Sequence, residues 1–252
     1  MEFTVIIPVR LNSKRLPEKA LLKIKNKTML QHVYERSLES GADRVIIATD
    51  NKKIVTEAES FGAPVCMTSS DHQSGTERIA EAVVAMGFDE DDIIVNVQGD
   101  MPLVPAKVIK ASAQDLEQHS NVKVSTIVTP MKTIEELFNP DVVKVVISKR
   151  SHALYFSRAP IPWDRNHFDD KKGIDLSSHY LRHVGIYAYR AGFLNNYMSS
   201  ESSPYEILEA LEQLSILWHG GRIHVLPIKE HIPHSVDTKE DFEKMRTLIE
   251  KK

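Results

Sequence analysis

The chain has 252 residues, with 32 Lys plus Arg against 35 Asp plus Glu, 42% hydrophobic and 27% charged residues. That profile fits a globular protein with room for one large core, and a net charge of −3 gives no whole-molecule attraction for nucleic acid or anionic membrane. A single cysteine, Cys66, excludes an internal disulfide and a cysteine-based metal cage and points to a reducing compartment, and no run approaches the ~18 apolar residues of a membrane span. The start MEFTVIIPVR enters an apolar run with no basic leader or cleavage site, so a soluble, cytoplasmic protein is expected.

Short β-branched runs at residues 3–8, 44–48, 64–67 and 93–97 read as strands. Between them, Thr28 is placed to cap a helix through Met29, Leu30, Val33 and Leu38 that Gly41 ends, and a second helix is expected from Asp50 to Gly62. Strands alternating with helices imply right-handed crossovers, hence an α/β fold with a mostly parallel mixed sheet flanked by helices. Further strands are expected at 142–147, 153–156 and 184–189, a polar loop at 163–178, a leucine stripe of Leu208, Leu211, Leu214 and Leu217, and a last helix from about Asp237 to Ile249. No interdomain linker is visible, so a single domain over 1–252 is expected.

Ligands of such sheets bind beyond the carboxyl ends of the strands. The first of those loops reads RLNSKRLPEK and carries Arg10, Lys14, Arg15 and Lys19, stiffened by Pro17. Four cations at a strand end favour a polyphosphate, and because GxxxxGK[ST] and GxGxxG are both absent, it would be held mainly by side chains. In DHQSGTER, Ser74, Gly75 and Thr76 stand where a helix begins and offer backbone N–H groups to a base or phosphate. Gln98, Gly99 and Asp100 follow the fourth strand, where a carboxylate suits a hard cation such as Mg²⁺. Judged alone, Asp237 reads as a helix N-cap, His183 as a hydrogen-bonded strand histidine, and Glu212 and Gln213 as helix-surface residues.

In order and spacing, RLNSKRLPEK, ATD at 48–50, DHQSGTER, NVQGD, FNP…VKVV, ALYFSRAPIPWDR, LRHVGIYAYR, LEQL and VDT resemble the 3-deoxy-manno-octulosonate (Kdo) cytidylyltransferases, the CMP-Kdo synthetases of Gram-negative bacteria. The likeness covers nearly the whole chain. It implies a Rossmann-like, GT-A-like nucleotidyltransferase fold, with about 1–130 binding CTP and about 131–252 binding the sugar and a second subunit. The implied reaction joins CTP to the eight-carbon sugar acid, giving CMP-Kdo and pyrophosphate for lipopolysaccharide biosynthesis. Arg10, Arg15 and Lys19 would neutralise the triphosphate, with Lys19 stabilising charge at the α-phosphate. Ser74, Gly75, Thr76, Arg78 and Gln98 would hold the cytidine, and Asp100 and Asp237 would bind Mg²⁺. Arg158, Arg165, His183, Tyr187, Glu212 and Gln213 would hold the sugar acid, and the family pattern implies a homodimer.

Four differences from the family pattern stand out: Glu18 stands for Gly, Met101 for Glu, Ser215 for Arg, and the pair His234-Ser235 for small residues or Gly. Glu18 places a carboxylate beside the phosphate cations, and Ser235 alters the turn that aims Asp237. The missing Arg at 215 makes an 8-amino-3,8-dideoxy sugar an alternative substrate. A glycosyltransferase and a weakly active nucleotide-binding paralogue are the competing classes, the first lacking its usual DxD after the fourth strand.

Overall fold

Thr4–Val9 (β1) is buried along its whole length, which is why TVIIPV reads as a continuous apolar run: a strand covered on both faces has no solvent side. In a computed structural model of the chain, every residue is described except 14, 169–172, 177–178, 198–200, 231 and 252. After β1 come Lys23–Ile24 (β2), Lys27–Thr28 (β3), Met29–Glu39 (α1), Arg44–Thr49 (β4), Lys52–Ser60 (α2), Val65–Met67 (β5), Gly75–Met86 (α3), Ile93–Asn96 (β6) and Ala106–Gln118 (α4). The remainder comprises Val124–Pro130 (β7), Ile134–Phe138 (α5), Lys144–Ile147 (β8), Ala153–Ser157 (β9), Leu181–Arg190 (β10), Ala191–Tyr197 (α6), Pro204–Glu209 (α7), Gln213–Trp218 (α8), Ile223–Pro227 (β11) and Lys239–Glu250 (α9).

The chain forms two compact units interleaved in sequence. The first takes Met1–Gln118, Ile186–Ser199 and Ile232–Lys252, and the second takes His119–Gly185 and Ser200–His231. In the first, β5, β4, β1 and β6 lie side by side in parallel, and residues 187–190 of β10 close the edge antiparallel to β6. This is the expected α/β architecture. Thr28 caps α1 by accepting from the Gln31 N–H at 3.2 Å, and Gly41 past its end takes the left-handed φ of 79°, as the sequence predicts.

In the second unit β11 runs parallel to β7, β8 pairs antiparallel with β9, and the start of β10 pairs antiparallel with β8. Here the sequence reading fails at one helix. The expected leucine stripe assumes a continuous helix, but Ala210 takes φ 50° and splits it into α7 and α8. The break turns the two pieces differently, so Leu211 and Leu214 are buried while Leu208 is 82% exposed.

Candidate active site

The chain leaves β1 for β4 and β5, then crosses back to place β6 on the other side of β1, so the strand order reverses at the β1/β6 boundary. Such a reversal opens a crevice at the carboxyl ends of the two strands. The cationic loop leaves β1 there, and Gln98-Gly99-Asp100 follows β6. Gly99 lies against β1: a Cβ on it would sit 2.8 Å from Val9 Cγ2. The Val236 N–H donates to the Asp100 carbonyl at 2.9 Å, joining this loop to the far end of the sequence. Beneath it an apolar cluster of Ile24, Met29, Val236, Met245 and Ile249 packs with Leu16 and Leu103. Leu16 belongs to the cationic loop, Leu103 follows Asp100 and Val236 precedes Asp237, so this packing gathers the three segments that carry the candidate residues.

Lys19 is the centre of the arrangement. Its Nζ donates to Asp100 Oδ2 at 2.6 Å, Asp237 Oδ1 at 3.0 Å and the Val236 carbonyl at 3.2 Å. Arg15 pairs with the other Asp237 oxygen at 3.1 Å, and the Ser235 hydroxyl donates to that same oxygen at 3.3 Å. Ser235 therefore supports the turn without a left-handed backbone. Burial opposes the Lys19 charge, but Asp100 and Asp237 outweigh it and hold the ammonium above its usual range. Burial likewise pushes the Asp100 carboxyl up, with Lys19 pulling the other way and Asp237 adding to the push. Two carboxylates and a main-chain carbonyl converging on one cation form a hard-oxygen donor set of the kind that suits a small divalent ion.

Asp237 is free for this role because it is not the N-cap of α9. Thr238 is: its hydroxyl accepts from the Asp241 N–H at 3.2 Å while Asp241 accepts from the Thr238 N–H at 2.9 Å, a reciprocal capping box. The one-residue shift corrects the sequence reading.

The cations expected at the phosphates and the residues expected at the cytidine also belong to this unit. Arg10 donates to the Gln73 carbonyl at 2.7 Å, linking the first loop to the DHQSG loop. Ser74 caps α3 by accepting from the Glu77 N–H at 3.1 Å, with Gly75 and Thr76 in the first turn. A Cβ on Gly75 would meet Pro8 Cγ at 3.4 Å and Gln98 Oε1 at 3.7 Å, so Gln98 and the start of α3 adjoin. Arg78 is 2% exposed, its guanidinium donating to Asp50 at 2.9 Å, to the Thr68 hydroxyl and to the Ser69 carbonyl at 3.3 Å. It braces the loops after β4 and β5. Tyr187 pairs in register with Asn96, two residues before Gln98. Lys14 lies outside the described residues.

Glu18 takes the left-handed φ of 51°, the conformation a glycine would adopt without strain. Its carboxylate turns to Lys53 in the first turn of α2, at 2.7 Å. Met101 is buried, its N–H donating to the Gln98 carbonyl at 3.2 Å, so no acid is needed there to close the turn.

The second unit holds most of the expected sugar residues. Arg158 donates through Nε to the Glu209 carbonyl at 2.6 Å and through its terminal nitrogens to the Pro140 and Ala210 carbonyls at 2.9 and 3.4 Å. It thereby caps the carboxyl end of α7, leaving further N–H groups for a ligand. Lys144 is fully buried and donates to the carbonyls of Asn139, Val142 and Arg158 at 2.9, 2.7 and 2.5 Å. Burial pulls its ammonium down to about 8, yet three acceptors favour the charged form at neutral pH. His183 Nε2 shares a hydrogen bond with the Thr126 hydroxyl at 3.1 Å and meets the edge of Phe156. Burial pulls its pKa down to about 3, so it serves as a neutral hydrogen-bonding group. Gln213 is 7% exposed, and among the described residues its Nε2 has no hydrogen-bond partner. A buried amide donor so placed has hydrogen bonds to offer. Arg165 is exposed and Glu212 half-buried at the start of α8.

Ser215 overturns the argument for an amino sugar. Buried, it donates to the Glu206 carboxylate and accepts from the Ser203 N–H at 2.7 Å, fastening α8 to the start of α7. The missing Arg is replaced by a packing contact, not by open space. Lys53 and Lys144 escaped the sequence reading, because nothing local in a sequence shows that a surface lysine neutralises a residue 35 positions away or that a strand lysine is buried.

A cytidylyltransferase family model matches residues 4–229. A 3-deoxy-manno-octulosonate cytidylyltransferase of Coxiella burnetii (strain Dugway 5J108-111) is 59% identical over 249 residues, covering 99% of this chain and 100% of the relative. The enzyme of the same name from Pasteurella multocida (strain Pm70) is 50% identical, with 99% of each chain covered. Among solved structures, CMP:2-keto-3-deoxy-manno-octonic acid synthetase complexed with CTP superposes with a TM-score of 0.90 at 37% identity, covering 100% of this chain and 99% of that one.

Proposed function

The chain belongs to the 3-deoxy-manno-octulosonate cytidylyltransferase family, and from that membership we propose that it joins CTP to Kdo, forming CMP-Kdo and pyrophosphate. The anomeric oxygen of the sugar bonds to the α-phosphorus, the bond from that phosphorus to the bridging oxygen breaks, pyrophosphate leaves, and the proton of the sugar hydroxyl passes to solvent. The observation that carries the reading is the convergence of Lys19, Arg15, Asp100 and Asp237 where β1 and β6 end. An anionic sugar and an anionic triphosphate repel, so Arg10, Arg15 and Lys19 neutralise the nucleotide, with Lys19 placed to meet charge growing at the α-phosphate. Asp100 and Asp237 would hold Mg²⁺, which would supply Lewis-acid chemistry at the phosphates and the sugar hydroxyl. Arg158 and Arg165 take the sugar carboxylate, and Gln213, Glu212, His183 and Tyr187 its hydroxyls. CTP use and a CMP-Kdo product support the reading of a cytoplasmic protein that serves lipopolysaccharide biosynthesis; among the described residues no helix is long and apolar enough to cross a membrane.

Purified protein given CTP, Mg²⁺ and Kdo should release pyrophosphate; release no faster than in a no-enzyme control would overturn the assignment. Glu18 supplies a second measurement. Lys53→Ala should raise KM for CTP about 2- to 5-fold, the range of an exposed ion pair, because it unmasks a carboxylate beside the phosphate cations. The rise should vanish in the Glu18→Gly background; an equal rise there would refute the masking.

The second unit exposes Leu154 on β9, Tyr205, Ile207 and Leu208 on α7, and Trp218 on α8. Large apolar side chains left in water on adjoining elements support an association surface, for which the proposed occupant is a second copy of the chain. Light scattering should give twice the chain mass, and Leu208→Glu should shift it toward the mass of one chain. A monomeric parent protein would exclude the dimer.

A further inference from the structure

Lys19 fills the space between Asp100 and Asp237. All three N–H bonds of its ammonium have acceptors: Asp100 Oδ2, Asp237 Oδ1 and the Val236 carbonyl. The remaining Asp237 oxygen faces Arg15 and Ser235. Lys19 is 81% shielded from solvent, its side-chain exposure being 19%, the same as that of Asp100. Two carboxylates brought this close repel unless a cation lies between them, and Lys19 is a cation that belongs to the chain itself. We propose that Lys19 is a displaceable stand-in for the divalent ion: it holds the carboxylate pair together before nucleotide binds and keeps a metal ion out until the triphosphate draws it away.

The inference rests on the reading of Asp100 and Asp237 as metal ligands and adds an order to it. A divalent ion sharing these oxygens with an ammonium meets both crowding and like-charge repulsion. The phosphates of CTP offer Lys19 and Arg15 competing anionic partners on the same loop, and Lys19 moved onto them leaves Asp100 Oδ2 and Asp237 Oδ1 open. Nucleotide and metal then bind with positive coupling, and the coupling passes through one side chain. The arrangement also keeps the nucleotide-free protein from carrying two uncompensated, partly buried carboxylates.

The test needs no turnover. Mn²⁺ is titrated into the nucleotide-free full-length protein and the free ion read by electron paramagnetic resonance, for the parent, Asp100→Asn, Lys19→Met, Lys19→Gln and Lys19→Met/Asp100→Asn proteins, each first checked for a cooperative thermal transition. Lys19→Met and Lys19→Gln should bind one Mn²⁺ at least about tenfold more tightly than the parent, and the double variant should lose that site. Binding by the parent as tight as by Lys19→Met, and abolished by Asp100→Asn, would overturn the stand-in while leaving the metal pair intact. Absence of any Asp100-dependent Mn²⁺ binding, in the lysine variants included, would overturn both.

Discussion

Asp100→Asn is expected to lower kcat for CMP transfer by at least about 10³-fold. The substitution keeps the shape of the side chain and removes the charge that Lys19 meets at 2.6 Å and that would help hold the metal. Stability should change little, because burial already works against the Asp100 charge and Lys19 keeps Asp237 and the Val236 carbonyl as acceptors. Pyrophosphate release measured beside a thermal melt separates the two effects. Since Asp100 and Asp237 act on one cation, adding Asp237→Asn should cost little more than either change alone. Asp100→Asn activity within about tenfold of the parent, with a normal melt, would be incompatible with the role given to this carboxylate.

Gly99→Ala is expected to reduce kcat by about 10²-fold although it touches no substrate. A Cβ at 99 would stand 2.8 Å from Val9 Cγ2 and 3.5 Å from the Pro8 carbonyl. Val9 is a buried β-branched residue in a paired strand, with little freedom to turn aside. The loop must yield instead, and it carries Asp100 and the carbonyl bonded to Val236. A stability loss of about 1–3 kcal/mol should accompany the change, with the larger effect on kcat. Full activity in Gly99→Ala, at any stability, would show that the aim of Asp100 tolerates a displaced loop.

Much of the fold was legible because strands buried on both faces write themselves as apolar runs. TVIIPV, RVIIAT and IIVN are observed within a residue or so of the expected places, and Thr28, Ser74 and Gly41 mark helix ends through local hydrogen bonding and backbone freedom. The motifs around Lys19, Ser74 and Asp100 were readable for the same reason: loop chemistry at a strand end lies close together in sequence. What stayed hidden depended on contacts between distant residues or on backbone conformations that residue type does not signal. Ala210 is an ordinary helix former that takes φ 50° and divides the helix that the leucines of ILEALEQL suggest.

The amino-acid sequence by itself determined the alternation of strands and helices, the placing of cations and a carboxylate after the first and fourth strands, and, through its ordered motifs, the family. The tertiary structure decided which charges meet. Lys19 and Asp237 are 218 residues apart, and only the cluster of Leu16, Leu103, Val236, Met245 and Ile249, with the backbone bond from Val236 to Asp100, brings them into contact. It likewise gave Glu18 a partner in Lys53, made Ser215 a packing contact, and moved the cap of α9 to Thr238. The physical reason is common to all of these: local pattern fixes what each segment can form, while the energy of an ion pair or a buried hydroxyl depends on what packing carries to its side.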